Sequence, residues 1–287
     1  MGITERLANL SIPAVLTIIA VLMVIRYALK QVDQPWAKSV GETAESLAFA
    51  LALVFLIIKP FIVQAFFIPS ASMRPTLLER DHIMVNKFIY RFKEPQRGDI
   101  VVFRAPMNAT GGIKQDFIKR LVAVPGDEVR ITPGYILVDG VPKDRAELKS
   151  MLVPLGEEGK LLLTDNKVYI DRKEISIKEI ADKFDTDPEN IKIVPGKLYI
   201  NGVAQDEPYI AEDPSMPYPN ERTDKKWIVK DKNGNDVVKI PEGKLLVIGD
   251  NRNESNDARF WGLLDRKRIL GKAMFKFWPP SRIGLIK

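Results

Sequence analysis

Three stretches of this chain carry residue types that could do covalent chemistry. The first is Pro69-Ser70-Ala71-Ser72-Met73-Arg74-Pro75-Thr76-Leu77, where small residues and two prolines bracket two hydroxyls. Such a run suits an exposed serine nucleophile and equally suits an ordinary turn, because Ser and Pro populate both. The second is Phe117-Ile118-Lys119-Arg120, followed by Pro125-Gly126-Asp127. In a strand Ile118 and Arg120 face one way and Lys119 the other, so one basic group can turn inward while its neighbour stays solvated. An inward lysine loses hydration, its pKa falls, and the neutral amine can take a proton from a serine hydroxyl. Facing water, it is only an edge-strand charge. The third stretch gathers Asp250, Asn251, Arg252, Ser255, Asp257 and Arg259 within residues 249–262. It reads either as a surface loop or as a hydrogen-bonded platform behind a site.

Composition narrows the chemistry. The 287 residues include no Cys and one His, which removes thiol nucleophiles, Cys-ligated zinc, iron-sulfur clusters and multi-histidine metal sites. A histidine-based triad would have to use His82, so a serine enzyme here relies on a lysine or a carboxylate as base. The length fits about two structural units. A net charge of +6, from 43 basic and 37 acidic residues scattered along the chain, is too mild for a nucleic-acid binder.

The elements that must position these clusters begin with two apolar runs. Residues 7–25 carry no charge, which is long enough to cross a hydrocarbon core, and Arg26 and Lys30 close the run. A secretory signal peptide would show a shorter apolar stretch and a small-residue cleavage site, whereas Ile25-Arg26-Tyr27 follows here, so a retained anchor is expected. The second run, residues 46–58, is short alone and could be an interfacial helix. With Glu42 and Glu45 at one interface and Lys59 snorkelling to the other, it extends to a span over about residues 42–59. Arg26, Lys30 and Lys38 lie in the connecting loop against Arg6 and the amino terminus before the first run. That basic excess places the loop in the cytoplasm and everything after Lys59 outside.

Beyond Pro60 the pattern becomes mainly β, with strands expected at residues 100–103, 135–138, 197–200 and 245–248. Asp139-Gly140 and Asn201-Gly202 end two of them with hairpin-turn chemistry. Their neighbourhoods, residues 133–141 and 195–203, align without a gap, as a duplicated hairpin or as two similar solutions to one turn. Between them Ser176 and Glu179 form a capping box ahead of Ile177, Ile180, Ala181 and Phe184 at helical spacing, and Asp187-Pro188 could start another short helix. A DNA-reading helix pair is one reading. A small inserted subdomain is the better one, since acids match its lysines.

Taken together and in order, S-x-S-M-x-P-T-L after an apolar run, K-R-x-x-x-x-P-G-D and G-D-N-R-x-x-S-x-D-x-R resemble the conserved boxes of bacterial type I signal peptidases. Arg97-Gly98-Asp99-Ile100-Val101-Val102-Phe103 and the closing run from Phe277-Trp278 resemble two more. The matches cover residues 69–129 and 207–286, and residues 139–194 match nothing in the family pattern.

The resemblance implies a mainly β catalytic domain (residues 61–138 and 195–287), a membrane anchor (residues 1–60) and a small α/β insertion (residues 139–194). It implies that Ser72 is the nucleophile and Lys119 the general base of a serine-lysine dyad, with an acyl-enzyme intermediate. The Ser72 backbone amide and the Ser70 hydroxyl would hold the oxyanion, and Ser255 would hydrogen-bond the lysine amine. Asp250, Asn251, Arg252, Asp257 and Arg259 would shape the loop. Ala258 stands where the family commonly has serine, and His82 has no catalytic counterpart. Neither cofactor nor metal is implied. The implied substrates are exported preproteins with Ala-x-Ala-like sites, bound in extended form along a strand edge at an inner membrane, with lipid as the other partner and Phe66, Phe67 and Trp278 able to dip into it. Specialised substrates of a secretion or pilus system are the second reading. A binding module that had lost catalysis would lack a dyad residue, and a self-cleaving repressor would lack the apolar runs.

Overall fold

The structure, a computed structural model, describes residues 11–143, 145–153, 159–164, 166–171 and 173–286. Arg6 and residues 7–10 of the first apolar run fall outside the described residues, as does the Lys59 side chain. Helix α1 (Ile12–Leu29) starts on Ser11, whose hydroxyl accepts from the Ala14 amide. Helix α2 (Pro35–Ala52) starts with proline at its first turn and runs on as a π-helical segment, Leu53–Ile62. Ile12–Leu29 and Pro35–Ile58 are each long and apolar enough to cross a bilayer, with mean hydropathies of 2.3 and 1.8 over an eighteen-residue stretch of each.

The second helix therefore begins seven residues before Glu42, not at it. Glu45 lies inside it and accepts a 3.0 Å bond from Arg26 Nε on α1. The buried residues of α2 are small, Ala37, Gly41, Ala44 and Ala48, and such residues let helix backbones approach closely. A β-carbon on Gly41 would sit 3.0 Å from Arg26 Nη1.

The chain then becomes sheet. Strands β1 (Val63–Phe67), β2 (His82–Asn86), β3 (Ile100–Arg104) and β4 (Asp116–Ala123) are followed by β5 (Glu128–Thr132), β6 (Tyr135–Val138) and β7 (Val141–Lys143). Helix α3 (Arg145–Leu152), strands β8 (Leu161–Thr164), β9 (Lys167–Ile170) and β10 (Lys173–Ile175), helix α4 (Ile177–Phe184) and β11 (Ile191–Val194) come next. The chain closes with β12 (Lys197–Ile200), β13 (Val203–Ala204), β14 (Ile228–Lys230), β15 (Asp236–Lys239), β16 (Lys244–Ile248), α5 (Ala258–Trp261), β17 (Leu264–Asp265), β18 (Ile269–Trp278) and β19 (Gly284–Leu285).

The main sheet has the order β1-β2-β18-β3-β4-β16-β17, with β19 on β18, and a second sheet runs β13-β12-β5-β15-β14. Alternation along β3 divides its side chains between two cores. Val101 and Phe103 pack with Leu121, Ile131 and Val238 between the two sheets. Ile100 and Val102 pack with Ile68, Met73 and Ile83 beneath the strands nearest the apolar helices. His82 sits in β2 between the rings of Phe67 and Phe277, at 5.3 and 5.8 Å.

Residues 135–194 have a core of their own, built from Ile136, Leu148, Leu163, Val168 and Ile180. Strand β6 pairs with β7 and β11 in that unit, so the division expected after residue 138 falls inside one sheet. The capping box on α4 forms as the sequence reads, and Pro188–Asn190 is a single 3-10 turn. Asp139-Gly140 and Asn201-Gly202 are left-handed at both positions (φ 51° and 77°, 53° and 79°), as tight hairpin turns require. Their strands lie in different sheets, but the two Pro-Gly entries meet. A β-carbon on Gly196 would lie 2.7 Å from the Gly134 nitrogen, so only glycine allows this close approach.

Candidate active site

Ser72 lies in a 3-10 turn, Ala71–Met73, just beyond β1. Both flanking carbonyls are held from the other end of the chain: Asn251 donates its backbone N–H to the Ser72 oxygen (3.1 Å) and its Nδ2 to the Ala71 oxygen (3.2 Å). The turn is thereby fixed against the loop after β16. Ser72 is buried, and its Oγ accepts a 2.7 Å bond from Lys119 Nζ. Ser70, exposed at the rim, has its hydroxyl 3.4 Å from the Ser72 hydroxyl.

Lys119 reaches this position from the middle of β4, facing away from Ile118 and Arg120. Its Nζ also donates to the Ile118 carbonyl (3.0 Å) and lies 5.4 Å from the Phe117 ring centroid. Burial lowers its pKa to about 8, against Asp257 and Asp250, whose charges favour the ammonium. The amine is thus partly neutral near neutral pH and in contact with a hydroxyl. That is the arrangement needed for proton transfer from an oxygen nucleophile.

Arg120 does not stay solvated. Strand β4 is covered on both faces, so its two faces are both buried and Arg120 is 3% exposed. It compensates with a two-pronged ion pair, Nε and Nη2 each 2.8 Å from Asp250, while Thr76 Oγ1 donates to the same carboxylate at 2.6 Å. Its guanidinium carbon stacks 3.8 Å from the Tyr209 ring centroid. Tyr209 in turn donates to Glu207, which takes both terminal nitrogens of the fully buried Arg252 at 2.8 and 2.6 Å. Asp257 accepts from Arg259 Nε and Nη2 and also from the Gly249 amide (3.1 Å). Three buried ion pairs therefore stand behind Ser72 and Lys119 and fold residues 249–259 around them.

Thr76, Arg120, Glu207, Tyr209 and Gly249 are the parts of this platform that sequence reasoning missed. A carboxylate-tyrosine pair far along the chain gives no local signal. Gly249 is required by space: a β-carbon there would lie 2.2 Å from Ser255 Oγ and 2.4 Å from the Ser72 carbonyl oxygen.

The expected bond from Ser255 to the lysine is not formed. The buried Ser255 Oγ has no partner among the described residues, and Nζ bonds instead to Ser72 and the Ile118 carbonyl.

A cleft of about 390 Å³ opens in front of Ser72 and Lys119, bordered by Ser70, Gln115, Phe117 and Glu254. Strand β4 pairs with β3 along residues 116–120 but with β16 only along residues 120–123. Its second edge at residues 116–119 therefore has no strand partner among the described residues where it lines the cleft.

Comparison with known proteins follows the same outline. The family described as signal peptidase, peptidase S26, matches residues 40–153 and 185–278, omitting the middle of the inserted unit. Signal peptidase I of Aquifex aeolicus is 35% identical over 236 residues, covering 80% of this chain and 81% of its own. Probable signal peptidase I-2 of a Synechocystis strain is 28% identical over 268 residues, covering 92% and 84%. A crystal structure of a signal peptidase I from Enterococcus faecalis matches 63% of this chain and 97% of its own at 20% identity, with a TM-score of 0.25. The chain is a protease that belongs to the signal peptidase family, peptidase S26.

Proposed function

We propose that this protein is a membrane-anchored signal peptidase that removes N-terminal signal peptides from exported preproteins. Ser72 Oγ attacks the scissile carbonyl while Lys119 takes its proton. Lys119 then delivers that proton to the leaving amine, and the acyl-enzyme on Ser72 is released by water, with Lys119 again accepting the proton. The Ser72 amide and the Ser70 hydroxyl stabilise the oxyanion. Ser255, whose unpartnered hydroxyl packs against the same turn, orients the amine once Ser72 has been acylated and no longer accepts from it.

The observation that carries this reading is the 2.7 Å contact between a buried lysine amine and a buried serine hydroxyl beside an open strand edge. An extended cleavage region can add to the free edge of β4 at residues 116–119, which brings its carbonyl to Ser72. The two apolar helices support a span on each side of the loop around residues 30–34, with the loop cytoplasmic and the catalytic domain on the outer side.

Purified full-length protein in liposomes should cut a model preprotein carrying Ala-x-Ala before the mature sequence, with mass spectrometry locating the cut after the second alanine. Replacing that alanine by aspartate should abolish cutting. A cut elsewhere, or one indifferent to the replacement, would overturn the proposal.

A further inference from the structure

The turn that follows β2 presents two phenylalanines and two cations to solvent. Phe88, Arg91, Phe92 and Lys93 are exposed, whereas Ile89 and Tyr90 are half-buried, Tyr90 packing against the core and donating to Asp99 at 2.9 Å. The Phe88 and Phe92 rings pack edge to face with centroids 4.8 Å apart, and Phe92 is 73% exposed. The Arg91 guanidinium carbon lies 5.5 Å from the Phe88 ring centroid. The turn is built, not loose: Asn86 Oδ1 accepts from the amides of Phe88 and Ile89 at 2.8 and 3.0 Å. Glu94, the next acid along the chain, is engaged by Arg266.

Its place in the fold identifies the occupant. The Lys87 amide donates to the Ile62 carbonyl at 2.8 Å, and Ile62 is the last residue of the helical segment that follows α2. Phe67 and Trp278 lie at the other end of β1, opposite His82, roughly 13 Å farther along the strand at about 3.3 Å per residue. The Phe88 to Lys93 turn thus flanks the point where the chain leaves the apolar helix. Exposed aromatic rings interleaved with cations suit the headgroup region of an anionic bilayer, where rings take the acyl boundary and cations meet phosphates.

We propose that residues 88–93 form a second membrane anchor, seated in the lipid interface beside the end of the second span and fixing the tilt of the catalytic domain over the bilayer. This rests on the reading that the two apolar helices span the membrane.

The absence of Cys makes the test direct. Single variants Phe92→Cys, Val24→Cys on α1 and Ile177→Cys on the inserted unit would each carry an environment-sensitive fluorophore. The full-length protein would sit in phosphatidylcholine and phosphatidylglycerol vesicles containing a nitroxide-labelled lipid. The expected result is strong quenching at positions 24 and 92, several-fold above that at 177, with blue-shifted emission at 92. Quenching at 24 with position 92 as unquenched as 177 would overturn the anchor and leave the spans standing, whereas no quenching at 24 would overturn both. In a second measurement, Phe88→Ser with Phe92→Ser should raise KM several-fold for a vesicle-inserted preprotein and leave cleavage of a short soluble peptide unchanged. Equal KM on the vesicle substrate would count against the proposal.

Discussion

Lys119 and Arg120 are neighbours on β4 and both are buried, yet among the described residues only Arg120 is ion-paired, through two 2.8 Å bonds to Asp250. The strand therefore carries one charge that the fold neutralises with a carboxylate and one that it keeps beside a hydroxyl. The first holds the loop after β16 in place. The second keeps an amine whose proton is easily lost.

Breaking the first pair should be costly. Asp250→Ala leaves a buried guanidinium without its carboxylate and should lower unfolding stability by about 3–5 kcal/mol. Arg120→Met combined with Asp250→Leu should recover much of that loss while activity stays low, since Thr76 and the loop lose their anchor. Chemical denaturation of the single and double variants measures both. Equal stability of wild type and Asp250→Ala would show that the pair is not a structural element.

The second charge sets the pH dependence. In the proposed mechanism neutral Lys119 is the base, so kcat/KM should rise with unit slope as pH increases and level off above about 8. Asp250 and Asp257 favour the ammonium, so Asp250→Asn should move that limb to lower pH. A limb that moves upward, or a profile flat from pH 6 to 9, would count against a lysine base.

The same shift has a sign in stability. A lysine whose folded pKa lies below its unfolded value of 10.5 destabilises the fold fully below about pH 8, and that cost fades as pH rises from 8 toward 10.5. Lys119→Met should therefore stabilise the protein by on the order of 3 kcal/mol at pH 6 and by little at pH 10. Thermal melts of wild type and variant across that range measure the difference. A variant less stable than wild type at pH 6 would contradict it.

Much of the site was legible before the fold. Composition left a lysine or a carboxylate as the base of any serine enzyme here, the pairing of Ser72 with Lys119 came from the family resemblance, and alternation along β4 turned Lys119 away from Ile118 and Arg120. Arg120 was misread because alternation says which residues share a face, not whether the other face meets water, and here β4 is covered on both. The hairpin turns and the capping box were readable because each is a local rule. The meeting of Gly134 with Gly196 and the stacking of Tyr209 on Arg120 depend on residues far apart in the chain. The second apolar helix extends further toward its N-terminus than the expected span, because Pro35 starts it and Glu45 is paired with Arg26 on α1.

Gly249 tests how tightly the platform fits the turn. A β-carbon there must displace the Ser72 carbonyl, which is backbone and cannot swing aside. Gly249→Ala should cost about 1–3 kcal/mol of stability and lower kcat/KM by tenfold or more. Wild-type activity in this variant would mean that the turn is looser than its contacts indicate.

The most direct test of the account is cleavage of a preprotein by the liposome-reconstituted full-length enzyme with Ser72→Ala and Lys119→Ala beside wild type. The dyad predicts that each substitution alone lowers kcat by roughly a thousandfold or more, and that the double variant is no worse than either single one. Cutting that survives either substitution would remove that residue from the mechanism, and losses that multiply in the double variant would show that the two do not act as a unit.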